Sequence, residues 1–291
     1  ISAQGKVKAF VQVQNGCNHF CTFCTIALAR GRARSVAPDV VVSHVAQILD
    51  QGVQEIVLTG VDLTSYDWDG MMLGGLVQHM LDALPSLKRL RLSSLDSIEV
   101  DTQLEDIITQ NSRVMPHIHL SLQSGSNPIL SSMKRRHTRD QAIRVCRVLK
   151  DKRPEIALGA DFITGFPGET ETMFQETMDM VDACQLSHLH VFPYSRRPGT
   201  PAARMVDQVD SAVIKERAQR LRQKGVQVLN EHLAHQVGKT ITVLVEQKDR
   251  GHADDFSDVI WDTPVDALGL YTATIHSMDK QRLHAVNLRP L

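Results

Sequence analysis

Three cysteines lie within eight residues near the start of the chain, in the segment GCNHFCTFC at positions 16–24. Cys17, Cys21 and Cys24 have the spacing CxxxCxxC. Three thiolates at this spacing can ligate three irons of a 4Fe-4S cluster, which usually has four cysteine ligands. The fourth iron would then be open to a small molecule.

S-adenosylmethionine (SAM) fits such an open iron, because its amino and carboxylate groups can chelate a metal. An electron from the cluster would then cleave a sulfur–carbon bond of SAM and yield a 5′-deoxyadenosyl radical. The cofactors carry this chemistry, and the protein supplies binding, orientation and exclusion of water. The alternative is a zinc site with His19 as fourth ligand, although structural zinc usually takes ligands from two separated pairs.

The remaining cysteines, Cys146 and Cys184, fall within helical patterns and are expected to be core residues. Five cysteines, three of them clustered, fit a reducing compartment better than a disulfide framework. The chain has 291 residues, 42% of them hydrophobic and 22% charged, which suffices for one large globular domain and a small one. No apolar run reaches the length of about 18 residues that a membrane-spanning helix needs.

Six short β-branched runs alternate with amphipathic stretches. The expected strands are 7–13, 55–60, 89–94, 117–124, 156–166 and 188–195. The expected helices are about 38–51, 73–84, 101–110, 139–152, 170–184 and 210–235. Alternating strands and helices predict right-handed βαβ units and a parallel sheet. Because six units fall short of the eight in a closed barrel, we predict an α/β fold with an open, partial (β/α)6 barrel, and chemistry at the carboxyl ends of its strands.

The pattern changes near Gly238, where apolar and polar residues begin to alternate between turn signals. This predicts a small all-β barrel. We therefore divide the chain into a first domain at 1–237 and a second at 238–291. Residues 239–291 contain six Lys/Arg and eight Asp/Glu, so the tail has no obvious electrostatic grip on RNA.

The ordered set of motifs resembles the methylthiotransferases of the radical-SAM superfamily, and among them the MtaB type. The motifs are GCNHFCTFCTIALARGRARS, IVLTGVDLTSY, RLSSLDSIEVD, HLSLQSGSNPILSSMKRRHTR, DFITGFPGETE and HVFPYSRRPGTPAARM. The tail is similar to a TRAM domain. Each motif alone is a modest signal, whereas the ordered set is specific and covers nearly the whole chain.

The resemblance implies an enzyme that adds a methylthio group to C2 of N6-threonylcarbamoyladenosine at position 37 of tRNA. Its cofactors would be one 4Fe-4S cluster, held by Cys17, Cys21 and Cys24, and SAM. A second SAM would supply the methyl group. The resemblance assigns no catalytic side chain.

The resemblance also places a SAM cavity at the carboxyl ends of the strands. Gly60 would let the backbone approach the SAM amino group, unless it serves an ordinary tight turn. Asp161 would face the cavity, with a buried salt bridge as the alternative. The expected cofactor-binding residues are Phe23, Gly60, Ser94, Gln123, Ser124, Asp161, Ile163 and Gly165.

Basic residues cluster after the first, fourth and sixth strands. The expected RNA contacts are Arg30, Arg32, Arg34, Arg136, Arg196 and Arg197, and Lys134, Arg135, His137 and Arg139 belong to the same groups. Parallel strands would bring these groups to one rim, which suits a polyanionic substrate in a chain of net charge −1. The alternatives are an ordinary solvated surface, or an arginine that binds the SAM carboxylate.

Complete methylthiotransferases resemble this chain but have a further N-terminal domain, with three more cysteines that hold a second cluster. We therefore expect the chain to be a fragment of a longer protein. The resemblance implies a cytoplasmic protein with tRNA as partner, an electron donor such as flavodoxin or ferredoxin, and no membrane attachment. We expect a monomer.

Three alternatives for the function stay open. One is methylthiolation of isopentenyladenosine in tRNA, and another is methylthiolation of an aspartate in a ribosomal protein. The third alternative is no enzyme at all, but an RNA-binding protein with a structural metal.

Overall fold

The computed structural model describes residues 5–291. Six parallel strands form an open barrel: β1 (Lys8–Gln12), β2 (Glu55–Thr59), β3 (Arg89–Leu92), β4 (His117–Gln123), β5 (Ala157–Thr164) and β6 (His188–Pro193). The helices are α1 (Ile26–Arg30), α2 (Pro38–Leu49), α3 (Leu73–Ala83), α4 (Thr102–Gln110), α5 (Asn127–Ser132), α6 (Arg139–Lys152), α7 (Glu171–Ala183) and α8 (Ser211–Ala234). The six predicted strands and six predicted helices are confirmed to within about two residues at most ends. The short helices α1 and α5 were not predicted.

The strands form two parallel sheets, β1-β2-β3 and β6-β5-β4. Isolated parallel bridges join them, from Leu90 to Val114 and from Leu95 to Leu120. The result is an arc of six parallel strands, open between β1 and β6. Two short hairpins lie in the connections and pair Gln14–Asn15 with Arg34–Ser35, and Asp67–Trp68 with Met71–Met72.

The two faces of the barrel strands differ in character because side chains alternate along a strand. Ile56, Leu58 and Leu120 belong to the core that packs against the helices. The intervening side chains of the same strands, such as Glu55 and His119, lie on the opposite face, inside the barrel. The lumen is therefore polar, and it is the surface on which a site can be built.

Five strands follow α8, and they pair mostly antiparallel. They are β7 (Thr240–Gln247), β8 (Arg250–Ala253), β9 (Asp258–Ile260), β10 (Gly269–Asp279) and β11 (Arg282–Pro290). They close into a barrel in the order β7-β8-β9-β11-β10. Its core includes Val243, Trp261 and Ile275, together with Leu233 from the last turn of α8. The predicted small all-β barrel is thus confirmed. The predicted boundary between residues 237 and 238 lies in the connection from α8 to β7.

The small barrel is docked on the amino-terminal ends of the large-barrel strands. Lys8 Nζ lies 2.6 Å from Glu246 Oε1, and Arg89 Nη1 lies 2.6 Å from Asp254 Oδ1. The Phe256 ring stacks on the His117 ring at the start of β4, with 5.0 Å between the ring centroids. The small barrel therefore covers the end of the lumen opposite to the cysteine loop. No helix among residues 5–291 has the length and apolarity needed to cross a bilayer.

Candidate functional site

The cysteine loop leaves the carboxyl end of β1 and is held at several points. The Cys17 amide donates to the Gly31 carbonyl at 3.1 Å, and a side chain at Gly16 (φ 75°) would overlap the backbone of Arg32. Thr22 bonds the loop to the two other segments of this rim. Its amide donates to the Met133 carbonyl at 3.1 Å, and its carbonyl accepts from the Ala202 amide at 2.9 Å. The rim segments after β1, β4 and β6 are therefore joined directly.

The three cysteines line one cavity of about 450 Å³. All three are free thiols, and donors point at each sulfur. The amides of His19 and Ile26 lie 3.3 Å and 3.4 Å from Sγ of Cys17 and Cys24, and Arg135 Nη1 lies 3.8 Å from Cys21 Sγ. Donors to the sulfurs are one means by which proteins stabilise and tune iron–sulfur clusters. Three cysteine sulfurs, each with a hydrogen-bond donor beside it, lie around one cavity. This set of ligands fits a 4Fe-4S cluster with one open iron.

The Cys17 thiol is held protonated in this arrangement. Burial, together with the neighbouring Asp62 carboxylate, raises its pKa to about 12. Asp62 Oδ2 lies 3.5 Å from the sulfur. Because a metal binds the thiolate, cluster assembly must release this proton.

His19 is committed to acidic partners. Its Nε2 lies 2.8 Å from Asp62 Oδ2 and 3.5 Å from Glu99 Oε1, and these carboxylates raise the pKa of the imidazole to about 9. A protonated ring cannot ligate a metal. The ligand atoms of Cys17, His19 and Asp62 do lie within 4.8 Å of one another, so a zinc ion could occupy this corner only by displacing that proton.

Four of the eight expected cofactor-binding residues line the cavity with the cysteines: Gly60, Ser94, Gln123 and Asp161. At Gly60, a Cβ atom would lie 2.9 Å from Gln14 Oε1 and 3.0 Å from the Leu63 Cα. The turn therefore leaves little room for a side chain here, which fits the tight-turn alternative, and the approach of Gly60 to SAM stays a prediction. Asp161 lines the cavity and also pairs with His119 and His190, and its contact with the cofactor stays a prediction. These hydrogen bonds outweigh burial and lower the pKa of Asp161 to about 2.

A second cavity of about 260 Å³ adjoins the first, because Gln123 and Asp161 line both. Two more expected residues, Phe23 and Ile163, lie in its wall. The rest of its lining is Phe192, Pro193, Tyr194, Ser195 and Arg197. Among the residues that the structure describes, this space combines aromatic faces with one cation, Arg197, and it shares two wall residues with the cysteine cavity.

Ser124 and Gly165 differ from the expectation, since neither lines these two cavities. Ser124 is fully buried and accepts a hydrogen bond from the Ser126 amide at 3.2 Å. Gly165 has φ 72°, and a Cβ atom there would overlap Ile214 of α8. Both residues thus have packing and turn-forming contacts, and their contact with the cofactor stays a prediction. Ser124 follows β4 and Gly165 follows β5. Each lies beyond the end of its strand, where the chain turns away from the lumen.

Gln123 has an unusual backbone conformation for its position at the end of β4. Its φ is 68°, in the left-handed region that disfavours residues with a side chain. The pairing of β4 with β5 also shifts register between Leu120 and Gln123. Strained residues of this kind cluster at functional sites, and this one places its side chain against both cavities.

The basic residues separate into two groups. The six expected RNA contacts, Arg30, Arg32, Arg34, Arg136, Arg196 and Arg197, are all exposed. By contrast, His137 is buried, and Arg139 is occupied by the carbonyls of Gly125 and Glu176. Arg135 points inward to the cysteine cavity. The exposed cations thus come from the segments after β1, β4 and β6, but not every basic residue of the second cluster belongs to the exposed surface.

Sequence reasoning missed three charged residues of the cavity: Asp62, Asp96 and Arg135. Asp62 follows β2 and Asp96 follows β3. Their positions just after predicted strands were therefore the sequence signal that could have identified them as cavity residues. Arg135 was counted as one of a basic run, in which an arginine that binds the SAM carboxylate was an alternative, but it was not singled out. Among residues 5–291, its guanidinium is the one cation besides His19 in the wall of the cysteine cavity, where it suits a carboxylate ligand.

A solved structure supports the fold assignment. The radical SAM methyltransferase TsrM from Kitasatospora setae, with cobalamin and a 4Fe-4S cluster bound, superposes with a TM-score of 0.57 at 18% identity. The match covers 68% of this chain and 39% of TsrM. At this identity the similarity shows a common fold.

Curated relatives are more similar in sequence. The threonylcarbamoyladenosine tRNA methylthiotransferase MtaB of Rickettsia prowazekii is 45% identical over 89% of this chain and 62% of its own length. The tRNA-2-methylthio-N(6)-dimethylallyladenosine synthase of Staphylococcus aureus is 35% identical over 84% of this chain and 48% of its own length. The chain thus spans about half to three-fifths of these relatives. Residues 11–181 match the model of the radical SAM superfamily, and the chain therefore belongs to that superfamily, whose members use a 4Fe-4S cluster and SAM.

Proposed function

We propose that this chain is the radical-SAM portion of a tRNA methylthiotransferase that modifies C2 of N6-threonylcarbamoyladenosine at position 37. The observation that carries the proposal is the pair of adjoining cavities. One has three cysteine sulfurs in its wall, and the other has aromatic faces and Arg197. The first suits the cofactors and the second suits a modified adenine with an acidic substituent.

When bound, the cluster and SAM supply an electron and the radical that removes hydrogen from the substrate. Cys17, Cys21 and Cys24 would hold the cluster. Arg135, 2.6 Å from Asp96 and 3.8 Å from Cys21, is placed to bind the carboxylate of SAM or to stabilise a thiolate. Gln123, which lines both cavities, would orient SAM against the substrate.

The second cavity favours the threonylcarbamoyl substituent because it contains a cation. An arginine forms a strong, paired hydrogen-bonding arrangement with a carboxylate, and Phe192 and Tyr194 offer faces for an adenine ring. The exposed arginines on the same rim would contact phosphates of the anticodon stem-loop.

The small barrel would be a TRAM domain, and an electron donor such as flavodoxin or ferredoxin would reduce the cluster.

The radical chemistry is tested by anaerobic reconstitution with iron and sulfide, followed by dithionite and SAM. 5′-Deoxyadenosine should form with the wild-type chain and not with Cys21→Ala. Cys184→Ala is the matched control, since that buried cysteine lies outside the cavity. A fully loaded wild-type cluster that yields no 5′-deoxyadenosine would contradict the proposed role of the loop.

The substrate is tested by mass spectrometry of nucleosides from tRNA of a strain that lacks the gene. Loss of the methylthio form of threonylcarbamoyladenosine is expected. Complementation with Arg197→Met should restore less of it than complementation with Arg204→Met, which alters a nearby arginine outside the cavity lining. Loss of methylthiolated dimethylallyladenosine instead would contradict the substrate assignment.

Dimethylallyladenosine, which is the isopentenyladenosine considered above, is the second candidate substrate. The Staphylococcus aureus relative is named for it, and the aromatic wall formed by Phe23, Phe192 and Tyr194 would accommodate an apolar substituent. Arg197 distinguishes the two candidates, because a cation in this wall gains nothing from a neutral dimethylallyl group. The same nucleoside analysis separates them.

A further inference from the structure

A second cluster of metal-ligating side chains lies beside the cysteine cavity. His119, Asp161 and His190 stand on the neighbouring strands β4, β5 and β6, with their side chains inside the barrel. His190 is the register partner of Asp161, and His119 is the partner of Gly159. His119 Nε2 lies 2.9 Å from Asp161 Oδ1, and His190 Nδ1 lies 3.2 Å from the same oxygen.

The three potential ligand atoms all lie within 4.8 Å of one another. A tetrahedral zinc ion with bonds of about 2.0–2.1 Å has ligand atoms about 3.3 Å apart. The two observed separations are close to such an edge, so the spacing of these atoms suits a metal ion that would replace the two hydrogen bonds. Two imidazoles and one carboxylate form a ligand set used by zinc and by non-haem iron.

The neighbouring residues make room for this cluster. A Cβ atom at position 159 would lie 2.5 Å from His119 Nδ1, so glycine at that position lets the His119 ring lie across β5. The rings of His119 and His190 are 4.4 Å apart and tilted by 33°, which brings them side by side at the carboxylate. Strand register and a glycine, not chance contact on the surface, determine this arrangement.

The cluster is accessible to a ligand. The His190 side chain is 62% exposed and that of Asp161 is 20% exposed. Asp161 lines both cavities, whereas His119 and His190 line neither, so a metal bound here would lie at the edge of the cavities and would have open coordination positions. Those positions would accept an oxygen anion or a water molecule.

We propose that His119, Asp161 and His190 form a second metal site, which binds one divalent transition-metal ion such as Zn²⁺ or Fe²⁺ at the edge of the second cavity, the one assigned above to the substrate. The ion would act as a Lewis acid toward an oxygen ligand in that cavity. This site is separate from the cysteine loop in its residues and in its chemistry, and it does not depend on which nucleoside is the substrate.

The test uses Co²⁺ as the probe, because its absorption in the visible range reports coordination by nitrogen and oxygen. The cysteine site is removed by the triple substitution Cys17→Ala, Cys21→Ala and Cys24→Ala, and the chain is freed of metal with a chelator. One equivalent of Co²⁺ should bind, and Zn²⁺ should displace it. His190→Ala in this background should weaken Co²⁺ binding by at least about tenfold, whereas His276→Ala, at an exposed position on the small barrel, should leave it unchanged.

The wild-type chain supplies an independent measurement, should the triple variant be unstable. After reconstitution of its cluster, elemental analysis should find one equivalent of added Zn²⁺ in addition to the cluster iron, and His190→Ala should lose that equivalent. Absence of Co²⁺ absorption in the folded triple variant would overturn the proposal. Equal Co²⁺ affinity of the His190→Ala and His276→Ala chains would do so as well, and would leave the cluster as a hydrogen-bonded group only.

Discussion

Nη2 of Arg135 lies 2.6 Å from Oδ2 of Asp96, and both side chains are less than a tenth exposed. The pair joins the segment after β3 to the segment after β4. Its guanidinium also reaches the Cys21 sulfur at 3.8 Å. A buried ion pair thus connects the frame of the barrel to the cysteine loop, so the charge beside the cluster site is fixed before any cofactor binds.

Breaking this pair should destabilise the chain. Arg135→Met or Asp96→Asn should each lower the free energy of unfolding by about 3 kcal/mol, because each leaves a buried charge without its partner. The double variant should lose less than the sum of the two, which denaturant unfolding of the cluster-free chain will measure as a coupling energy. Arg220→Met, which breaks a more exposed pair with Glu171, is the control and should cost less than about 1 kcal/mol. Strict additivity of the two single substitutions would show that the pair contributes nothing.

The left-handed backbone of Gln123 predicts that two substitutions at this position weaken cofactor binding equally but differ in their effect on stability. Gln123→Gly and Gln123→Ala remove the same side chain from the cavity, and both should weaken SAM binding about tenfold, the equivalent of one hydrogen bond. Only glycine relieves the strain at φ 68°. The glycine variant should therefore be more stable than the alanine variant by about 1 kcal/mol. Unfolding of the cluster-free variants and anaerobic calorimetry with SAM measure the two quantities, and an alanine variant as stable as the glycine variant would refute the strain argument.

The contrast between Arg135 and Arg136 shows what the sequence could and could not predict. Periodicity is local, so the barrel strands and long helices were predictable from runs of a few residues, and the three cysteines from their spacing. The two arginines are adjacent in one basic run, yet the Arg135 side chain is 8% exposed and that of Arg136 is 44% exposed. Lys134 has φ 57° at the end of α5, and this turn decides which arginine faces the cavity. The docking of the small barrel on the large one could not be predicted from a local sequence pattern either. Arg89 and Asp254, which meet at the contact, are 165 positions apart in the sequence.

Phe256 is predicted to hold the small barrel on the large one. Its ring lies between the rings of His117 and His252, with centroids 5.0 Å and 4.8 Å away, and the Arg91 guanidinium lies 4.9 Å from its centroid. Phe256→Ala should lower the free energy of unfolding by about 2 kcal/mol, since the ring is only partly buried. It should also speed proteolysis in the connection at 235–239. Phe256→Tyr preserves the stacking and is the control, and unchanged proteolysis of the alanine variant would mean that the other contacts between the barrels, ion pairs and the apolar contact of Val7 with Leu244 and Leu270 among them, hold them together without Phe256.

Buried His137 predicts that the chain loses stability in mild acid. Its side chain is fully buried, and burial together with Arg135 lowers its pKa from 6.5 to about 4. Above pH 6.5 the imidazole is neutral in both the folded and the unfolded chain. Between pH 6.5 and 4 the unfolded chain binds a proton there and the folded chain does not, so the free energy of unfolding falls as the pH falls.

The expected loss from this residue is about 3 kcal/mol between pH 6.5 and 4. Denaturant unfolding of the cluster-free chain at several pH values measures it. His137→Gln cannot take up the proton and should flatten the dependence on pH in that window, whatever its effect on stability at neutral pH. His276→Gln, which changes an exposed histidine, should leave the dependence as it is. If His137→Gln and His276→Gln have the same slope as the wild-type chain, the acid sensitivity arises elsewhere, and the His137 imidazole does not remain neutral in the folded barrel.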